Sequence, residues 1–245
     1  MPTIETINEQ YIGSGIVYVD GRDVGNVSAL DFALEIETKT RPSYRPGGGN
    51  IASVARVRSV SLSATLDSFN NSNLALSLRG VVDVKASKTL TDELAIAIVP
   101  GLVETIEMLD TTKEVVVRSG EDDVDKTYVK GTDFEITAAG IKPLSSGEIT
   151  EGQALKISYT TRAASALQAL VESGKEVKMI FDGINDDNGR PSIVKVYRWK
   201  PSPMEGLSLI GDDYGEFTLS GDVLADDTIT ATGKSKFFVR EAASA

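Results

Sequence analysis

The sequence predicts a mainly β protein, and three features of its pattern carry that prediction. Two long runs, over residues 30–37 and 59–66, alternate strictly between apolar and polar side chains, which is the period of a half-buried strand. Short runs of β-branched and aromatic residues follow at intervals, separated by turn signals such as Asn188-Gly189. Helical spacing is confined to two segments. We therefore expect a β-sandwich or barrel with one or two flanking helices.

The two alternating runs predict a long β-hairpin. They flank Arg41–Asn50, a loop too long and too rich in glycine to be a simple turn. Its apolar face should comprise Leu30, Phe32, Leu34, Ile36, Val60, Leu62, Ala64 and Leu66. Its polar face should comprise Asp31, Glu35, Glu37, Ser59, Ser61, Ser63 and Thr65. A two-faced ribbon of this length exceeds what a small domain needs, which favours a sheet completed by neighbouring copies of the chain.

The remaining elements can be assigned in order along the chain. After a lead-in over residues 1–15, Ile16–Val19 reads as a strand that ends in an Asp20-Gly21 hairpin turn. A helix is predicted over residues 69–80, capped by asparagine or serine at its start and closed by Gly80. A second helix is predicted over residues 163–173. Its apolar stripe would be Ala166, Leu167, Leu170 and Val171.

A change of composition at Asp110 suggests an insertion. Residues 110–161 hold several short strand signals between polar turns, which is typical of a small β-sandwich. We expect a discontinuous core domain over residues 1–109 and 162–245, with an immunoglobulin-like β domain over 110–161. The last strands of the core are expected at 177–181, 193–199, 217–219 and 236–239.

Composition removes several classes of function. The chain has no cysteine and no histidine, which excludes thiolate catalysis, Ser-His-Asp chemistry and nearly all zinc sites. We therefore expect no cofactor, no metal and no enzyme. With 36 acidic against 25 basic residues, the net charge of −11 opposes tight phosphate binding. The sequence has no apolar run of about 20 residues and no signal-peptide pattern, so we expect folding in the cytoplasm without a membrane partner.

Three local patterns resemble chemical sites, and each has a simpler interpretation. Asp182–Gly189 fails the register of a calcium loop and reads as a hairpin turn. The adjacent carboxylates Asp212-Asp213 and Asp226-Asp227 would point to opposite faces of an extended chain, which favours turn roles over acid/base catalysis. Gly47–Asn50 lacks the lysine and the strand-to-helix context of a phosphate loop.

The loop of the long hairpin is locally basic in an acidic protein. Its charge is either simply solvated or part of a docking element that meets an acidic surface of another subunit. The residues assigned to this contact are Arg41, Tyr44, Arg45, Gly47, Gly48, Gly49, Asn50, Arg56 and Arg58.

The order of these elements resembles the major tail tube proteins of long-tailed bacteriophages with non-contractile tails. The resemblance rests on Gly15–Gly21 with Val24–Val27, on the alternating hairpin, on Phe181–Asn185 and Val196–Pro201, and on Leu219–Thr230 with Gly233–Phe238. It covers most of residues 12–109 and 162–240. The middle segment departs from the minimal family pattern and resembles the immunoglobulin-like decorations of some members.

This resemblance implies a structural protein of the virion tail, assembled in the host cytoplasm. Six copies would form a ring, and stacked rings would form a tube whose inner β-barrel passes the genome without binding it specifically. Partners would be other copies, the tape measure protein, and the tail terminator and distal tail proteins. The polar face of the hairpin would line the lumen, because an acidic and hydroxyl surface almost without cations lets DNA slide.

Two other hypotheses about the function remain. One is a different phage tail component of related fold, such as a distal tail or sheath-associated protein. The other is a carboxylate-dependent hydrolase or sugar-binding module. Tubes or rings in the electron microscope would separate the first interpretation from the last.

Overall fold

A computed structural model describes residues 10–121 and 126–243 of the chain. Residues 1–9 of the predicted lead-in and residues 122–125 of a predicted turn lie outside that part. The described part is mainly β, as predicted, with several antiparallel sheets and a single helix. The elements are β1 Gly13–Val19, β2 Arg22–Asp23, β3 Val27–Pro42, β4 Asn50–Leu66, α1 Asn71–Leu78, β5 Val81–Lys85, β6 Thr89–Ile96, β7 Val103–Glu104, β8 Val116–Ser119, β9 Thr127–Tyr128, β10 Phe134–Thr137, β11 Gly140–Pro143, β12 Ala154–Thr160, β13 Ala164–Gln168, β14 Val177–Asn185, β15 Arg190–Pro201, β16 Phe217–Val223 and β17 Phe238–Ala242.

The chain forms two compact units. The first comprises Met1–Val82 and Leu167–Ala245, and the second comprises Asp83–Ala166. The insertion is therefore wider than the predicted 110–161, because β6 and β7 pair with strands of the second unit. The first unit has two segments, of which the first ends at Val82, whereas the predicted core segment ends at residue 109.

One eight-stranded sheet makes up most of the first unit. Its strand order is β2, β1, β14, β15, β16, β4, β3, with β17 pairing along β15. The predicted Asp20-Gly21 turn joins β1 to β2, and both residues adopt the positive φ that such a turn requires. A second predicted turn, at Asn188-Gly189, joins β14 to β15.

The core of the first unit lies on one face of this sheet, beneath α1. Alternate residues of β4 and β16 enter it, together with Met179 and Trp199 from the neighbouring strands. Asn70 caps the start of helix α1, and its side chain accepts a hydrogen bond from the Asn73 N–H at 2.9 Å. The buried Asn73 amide in turn bonds the carbonyls of Val24 and Ser68, which fixes the helix to the sheet. The helix is closed by Arg79 in the left-handed conformation, one residue before the predicted Gly80.

The second unit contains two small sheets around their own core. One has the order β6, β12, β8, β9 and the other β10, β11, β7. Phe134, Ile141, Leu155 and Ile157 are almost fully buried between them. Strands β5 and β13 form a separate two-stranded sheet.

The predicted second helix over 163–173 is wrong. Residues 164–168 are strand β13, which pairs with β5, and Leu170 has a φ of 59° that no α-helix contains. Leu170 and Val171 of the supposed apolar stripe are 70% and 60% exposed. Pairing with β5 has therefore overridden the local helical spacing.

Candidate functional site

The long hairpin, here called the ribbon (β3, the loop Ser43–Gly49 and β4), contains most of the predicted site residues. Its ladder runs from Val27 paired with Leu66 to Pro42 paired with Asn50. The pairing shifts between Glu35, opposite Ser59, and Ile36, opposite Val57, so that Arg58 is an extra residue on β4. We call the part before this bulge the near half and the part beyond it the far half.

The near half presents the predicted hydroxyl-rich polar face. Ser59, Ser61, Ser63 and Thr65 lie opposite Glu35, Ala33, Asp31 and Ala29, and directly opposed residues share one face of a sheet. The Ser59 hydroxyl donates a hydrogen bond of 3.0 Å to Glu35 Oε2. Strand β16 widens this face with Thr218, Ser220 and Asp222, which lie opposite Thr65, Ser63 and Ser61.

These three β16 residues were not among the predicted site residues. Their signal was present in the sequence, since Thr218, Ser220 and Asp222 alternate with apolar residues or glycine along Phe217–Val223. What the sequence did not contain was the identity of the strand that β16 joins. Lys200 of β15 lies opposite Asp222 and places a cation at the margin of the face.

The far half contradicts the expectation of a polar face almost without cations. The bulge brings Arg58 Nη1 to 3.6 Å from Glu35 Oε1, and beyond it Arg56 lies opposite Glu37. Lys39 Nζ is 3.7 Å from Glu37 Oε1. Basic and acidic groups therefore share the polar face of the far half, whereas the near half carries the carboxylates with the hydroxyls.

The apolar face also divides at the bulge. In the near half Val60, Leu62, Ala64 and Leu66 are 1–3% exposed, as predicted. The predicted burial is wrong for a single chain at Leu34, just before the bulge, and at Ile36, just beyond it, which are 57% and 59% exposed. Val57, opposite Ile36, is 51% exposed. No other element of the described chain covers them.

The outer edge of β3 is unpaired. β3 is the last strand of its sheet and bonds only β4, so one side of its 16-residue backbone presents free N–H and C=O groups among the described residues. The near end of this edge is partly shielded, since Phe32 stacks on Phe238 with ring centroids 4.6 Å apart. Long unpaired edges are templates for pairing with another chain.

The loop at the far end of the ribbon is a compact turn. The Ser43 N–H donates a hydrogen bond to the Gly49 carbonyl at 2.7 Å, and the Gly48 N–H donates one to the Arg45 carbonyl at 3.2 Å. Gly47, Gly48 and Gly49 all have positive φ, which explains the run of three glycines. Tyr44 is 94% exposed at its tip. Neither Arg41 nor Arg45 forms an ion pair within the described residues.

The other candidate sites have structural roles. Asp226 accepts bonds from the N–H and hydroxyl of Thr228, and these bonds hold its pKa below the usual range. The ammonium of Lys236, 2.8 Å from Asp227, lowers the pKa of that carboxyl. Asp182–Gly189 forms the predicted hairpin. In the described part of the chain, no three acidic side chains cluster as metal ligands would.

The fold and the ribbon together define a mainly β protein with a long, two-faced hairpin that extends beyond its own core. The model of the family described as "Protein of unknown function UCP028589" matches residues 10–241, so the chain belongs to that family. No curated protein matches the sequence. Over the residues described, no helix has the length and apolar character needed to cross a membrane.

Proposed function

We propose that this protein assembles with copies of itself into the tail tube of a long-tailed bacteriophage. The observation that carries the proposal is the far half of the ribbon, which exposes an apolar face and an unpaired strand edge at the same place. A second ribbon that pairs along β3 and continues the sheet would bond the free strand edge and cover the apolar face at the same time.

The energetic argument favours association. Covering Leu34, Ile36 and Val57, each now more than half exposed, contributes about 1 kcal/mol per side chain. Pairing of the β3 edge adds backbone hydrogen bonds along up to 16 residues. Each copy in a closed ring has two such contacts, so a barrel leaves no edge exposed.

The polar face of the ribbon is then the lining of a conduit. In the near half it presents carboxylates, which repel phosphate, and hydroxyls, which carry no charge that would attract it. At the bulge and beyond it Arg58 pairs with Glu35 and Lys39 with Glu37, which offsets part of the positive charge, whereas Arg41 has no ion-pair partner among the described residues. We assign the rings six-fold symmetry, and the tape measure, terminator and distal tail proteins as partners, by the family resemblance. The second unit is assigned as the immunoglobulin-like decoration.

Sedimentation velocity over a hundredfold range of concentration, with negative-stain microscopy of the same samples, tests this proposal. We expect wild-type protein to form rings or tubes, and Ile36→Asp to remain small because it buries a charge in the interface. Val84→Asp is the matched control, since Val84 is 87% exposed in β5 outside the ribbon. A wild-type protein that sediments as a monomer at every concentration would refute the proposal.

A further inference from the structure

A small polar cavity lies at the end of helix α1, within the first unit. Its volume is about 100 Å³, and since one water needs about 10–15 Å³, it has room for a small polar group. One wall is the last turn of the helix, and the opposite wall is the segment 172–175. This segment is held against the helix end because the N–H groups of Val171 and Glu172 donate to the Arg79 carbonyl at 3.2 and 3.0 Å.

The backbone of Arg79, which lines this cavity, is strained. Its φ of 47° and ψ of 48° are left-handed, a conformation that glycine adopts freely and arginine only at a cost. Glycine is also the residue most often found where a helix ends in this way. Strain of this kind persists where the surroundings impose it, and it is frequent at binding sites. The position therefore directs attention to the arginine side chain.

The guanidinium of Arg79 has no bonding partner within the described chain. It lies against Gly174, where a Cβ would come within 3.0 Å of both Nε and Nη2, so only glycine leaves room for it. Its Nε–H is buried and meets no acceptor among the described residues. Buried donors are nearly always bonded, so an unsatisfied one requires an explanation. An acceptor placed in the cavity would supply the missing partner for this guanidinium.

The other polar groups of the cavity indicate the charge of that acceptor. The hydroxyls of Ser72 and Ser173 form no hydrogen bond within the described part of the chain. The ammonium of Lys175 is balanced by Asp20, 3.0 Å away. Glu172, which is exposed, contributes the one carboxylate of the lining. A planar, singly charged carboxylate matches a guanidinium, whereas a doubly charged phosphate would be repelled more strongly by Glu172.

We propose that this cavity binds a carboxylate group, which accepts hydrogen bonds from the Arg79 guanidinium and from the hydroxyls of Ser72 and Ser173. The carboxylate belongs either to a small molecule or to an acidic side chain of another copy. Glu172 weakens the binding, because it repels the incoming carboxylate and competes with it for Arg79. The site lies within one unit of one chain, so the inference goes beyond the proposed self-assembly and does not depend on it.

Titration with sodium acetate tests the site, with acetamide as the neutral ligand of the same shape. The full-length protein, below its assembly concentration and at constant ionic strength, is followed by the NMR signals of the Arg79 Nε–H and the Gly174 N–H. We expect saturable shifts with acetate and binding about tenfold weaker for acetamide, which lacks the charge. Glu172→Gln should tighten acetate binding about threefold or more. Equal responses to acetate and acetamide, or no saturation, would overturn the proposal.

Two substitutions of Arg79 separate binding from folding. Arg79→Gln and Arg79→Gly should each weaken acetate binding by about tenfold or more, as followed at Gly174. Arg79→Gly also relieves the left-handed strain, so its urea midpoint should equal or exceed that of wild type. Arg45→Gln, which removes the same charge from the ribbon loop, is the control and should bind acetate as wild type does. Undiminished acetate binding by Arg79→Gly would refute the role of the arginine.

Assembly measurements identify the source of the carboxylate. If another copy provides it, Arg79→Gln should raise the concentration for half-assembly by about tenfold, and acetate should inhibit assembly of wild type. If a small molecule provides it, acetate binds the unassembled protein and Arg79→Gln assembles as wild type does. A wild type that binds acetate but sediments as a monomer at every concentration would refute the tail tube and leave the carboxylate site standing. Assembly without acetate binding would refute the site alone.

Discussion

Arg58 Nη1 lies 3.6 Å from Glu35 Oε1 at the point where β4 carries one residue more than β3. By strict alternation along β4, Arg58 would belong with Val60 and Leu62 on the apolar face. The bulge turns it to the polar face instead, and Arg56 follows it to a position opposite Glu37. A single extra residue therefore keeps two cations out of the apolar stripe of the far half.

The Arg58 and Glu35 pair should contribute little to folding. Both side chains are more than half exposed, at 67% and 58%, and exposed pairs stabilise by about 0.5 kcal/mol or less. We expect Arg58→Ala to change the free energy of unfolding by no more than that in urea denaturation at 150 mM salt. A loss above about 1.5 kcal/mol would mean that the bulge itself depends on the arginine.

Leu62 and Leu34 offer a matched pair on the same face of the ribbon. Leu62 is 1% exposed, and Leu62→Ala should lower the free energy of unfolding by about 2–5 kcal/mol. Leu34→Ala, at 57% exposure, should cost under about 1 kcal/mol in the monomer and yet weaken assembly. Trp199, the single tryptophan, lies in the same core as Leu62 and reports unfolding by its fluorescence. Equal losses for the two variants would contradict the division of the face into a buried and an exposed part.

Tyr159 should make the second unit sensitive to alkali. Burial, together with the bond of 2.5 Å that its hydroxyl donates to Glu93, raises the pKa of Tyr159 to about 12. An unfolded tyrosine titrates near 10, so above that pH the unfolded state loses its proton first and stability falls up to about pH 12. Tyr159→Phe should flatten this decline between pH 10 and 11.5 in urea titrations followed by circular dichroism. A parallel decline in both proteins would contradict the assignment.

Asp133 should make the same unit sensitive to acid. The N–H groups of Val129 and Glu148 donate to its two carboxylate oxygens at 2.8 and 2.9 Å, and they hold its pKa below the usual range. Its contribution is present above the unfolded pKa of about 3.9 and is lost as the pH falls through the lower folded value. Asp133→Ala should cost about 1–3 kcal/mol at pH 7 and speed amide exchange at Val129 and Glu148. Asp110→Ala is the control, because the Thr112 N–H that it frees is exposed to water.

The polar face of the near half should exclude DNA from binding. Wild-type assemblies are expected to retain no short duplex DNA at 150 mM salt, since Asp31, Glu35 and Asp222 share a face with the serines. Ser61→Arg with Ser63→Arg should create binding that weakens steeply as salt is raised. Ser208→Arg with Leu209→Arg, in the exposed segment 205–216, adds the same two charges away from this face. Equal retention by all three proteins would argue against the face as a lining.

Much of the first unit could be read from its sequence because its signals are local. Alternation predicted the ribbon and the near-half faces, and glycine-containing turns predicted both hairpins. The bulge at Arg58 could not be predicted, since no residue type marks it and only the opposing strand reveals the extra residue. The second predicted helix was wrong because the pairing of β13 with β5 is non-local, and the polar residues of β16 were missed for the same reason.

The boundaries of the insertion were harder to predict than its existence. Asp110 marks a change in composition, but β6 and β7 before it carry alternating patterns that fit either unit. Their assignment depends on β12 and β11, the strands with which they pair. Pairing partners in a mainly antiparallel protein are chosen by packing, which cannot be read from composition.

The hydroxyls of Thr65 and Thr218 lie 3.2 Å apart in space but 153 residues apart in the chain. A ribosome that adds about 5–20 residues per second therefore releases the ribbon on the order of ten seconds or more before β16 arrives to pair with its near half. During that interval the near half of β4 lacks its second neighbour in the sheet. Translation thus imposes an order of events, in which the far half can form as soon as β4 has been made, whereas the near half gains its second strand neighbour only about 150 residues later.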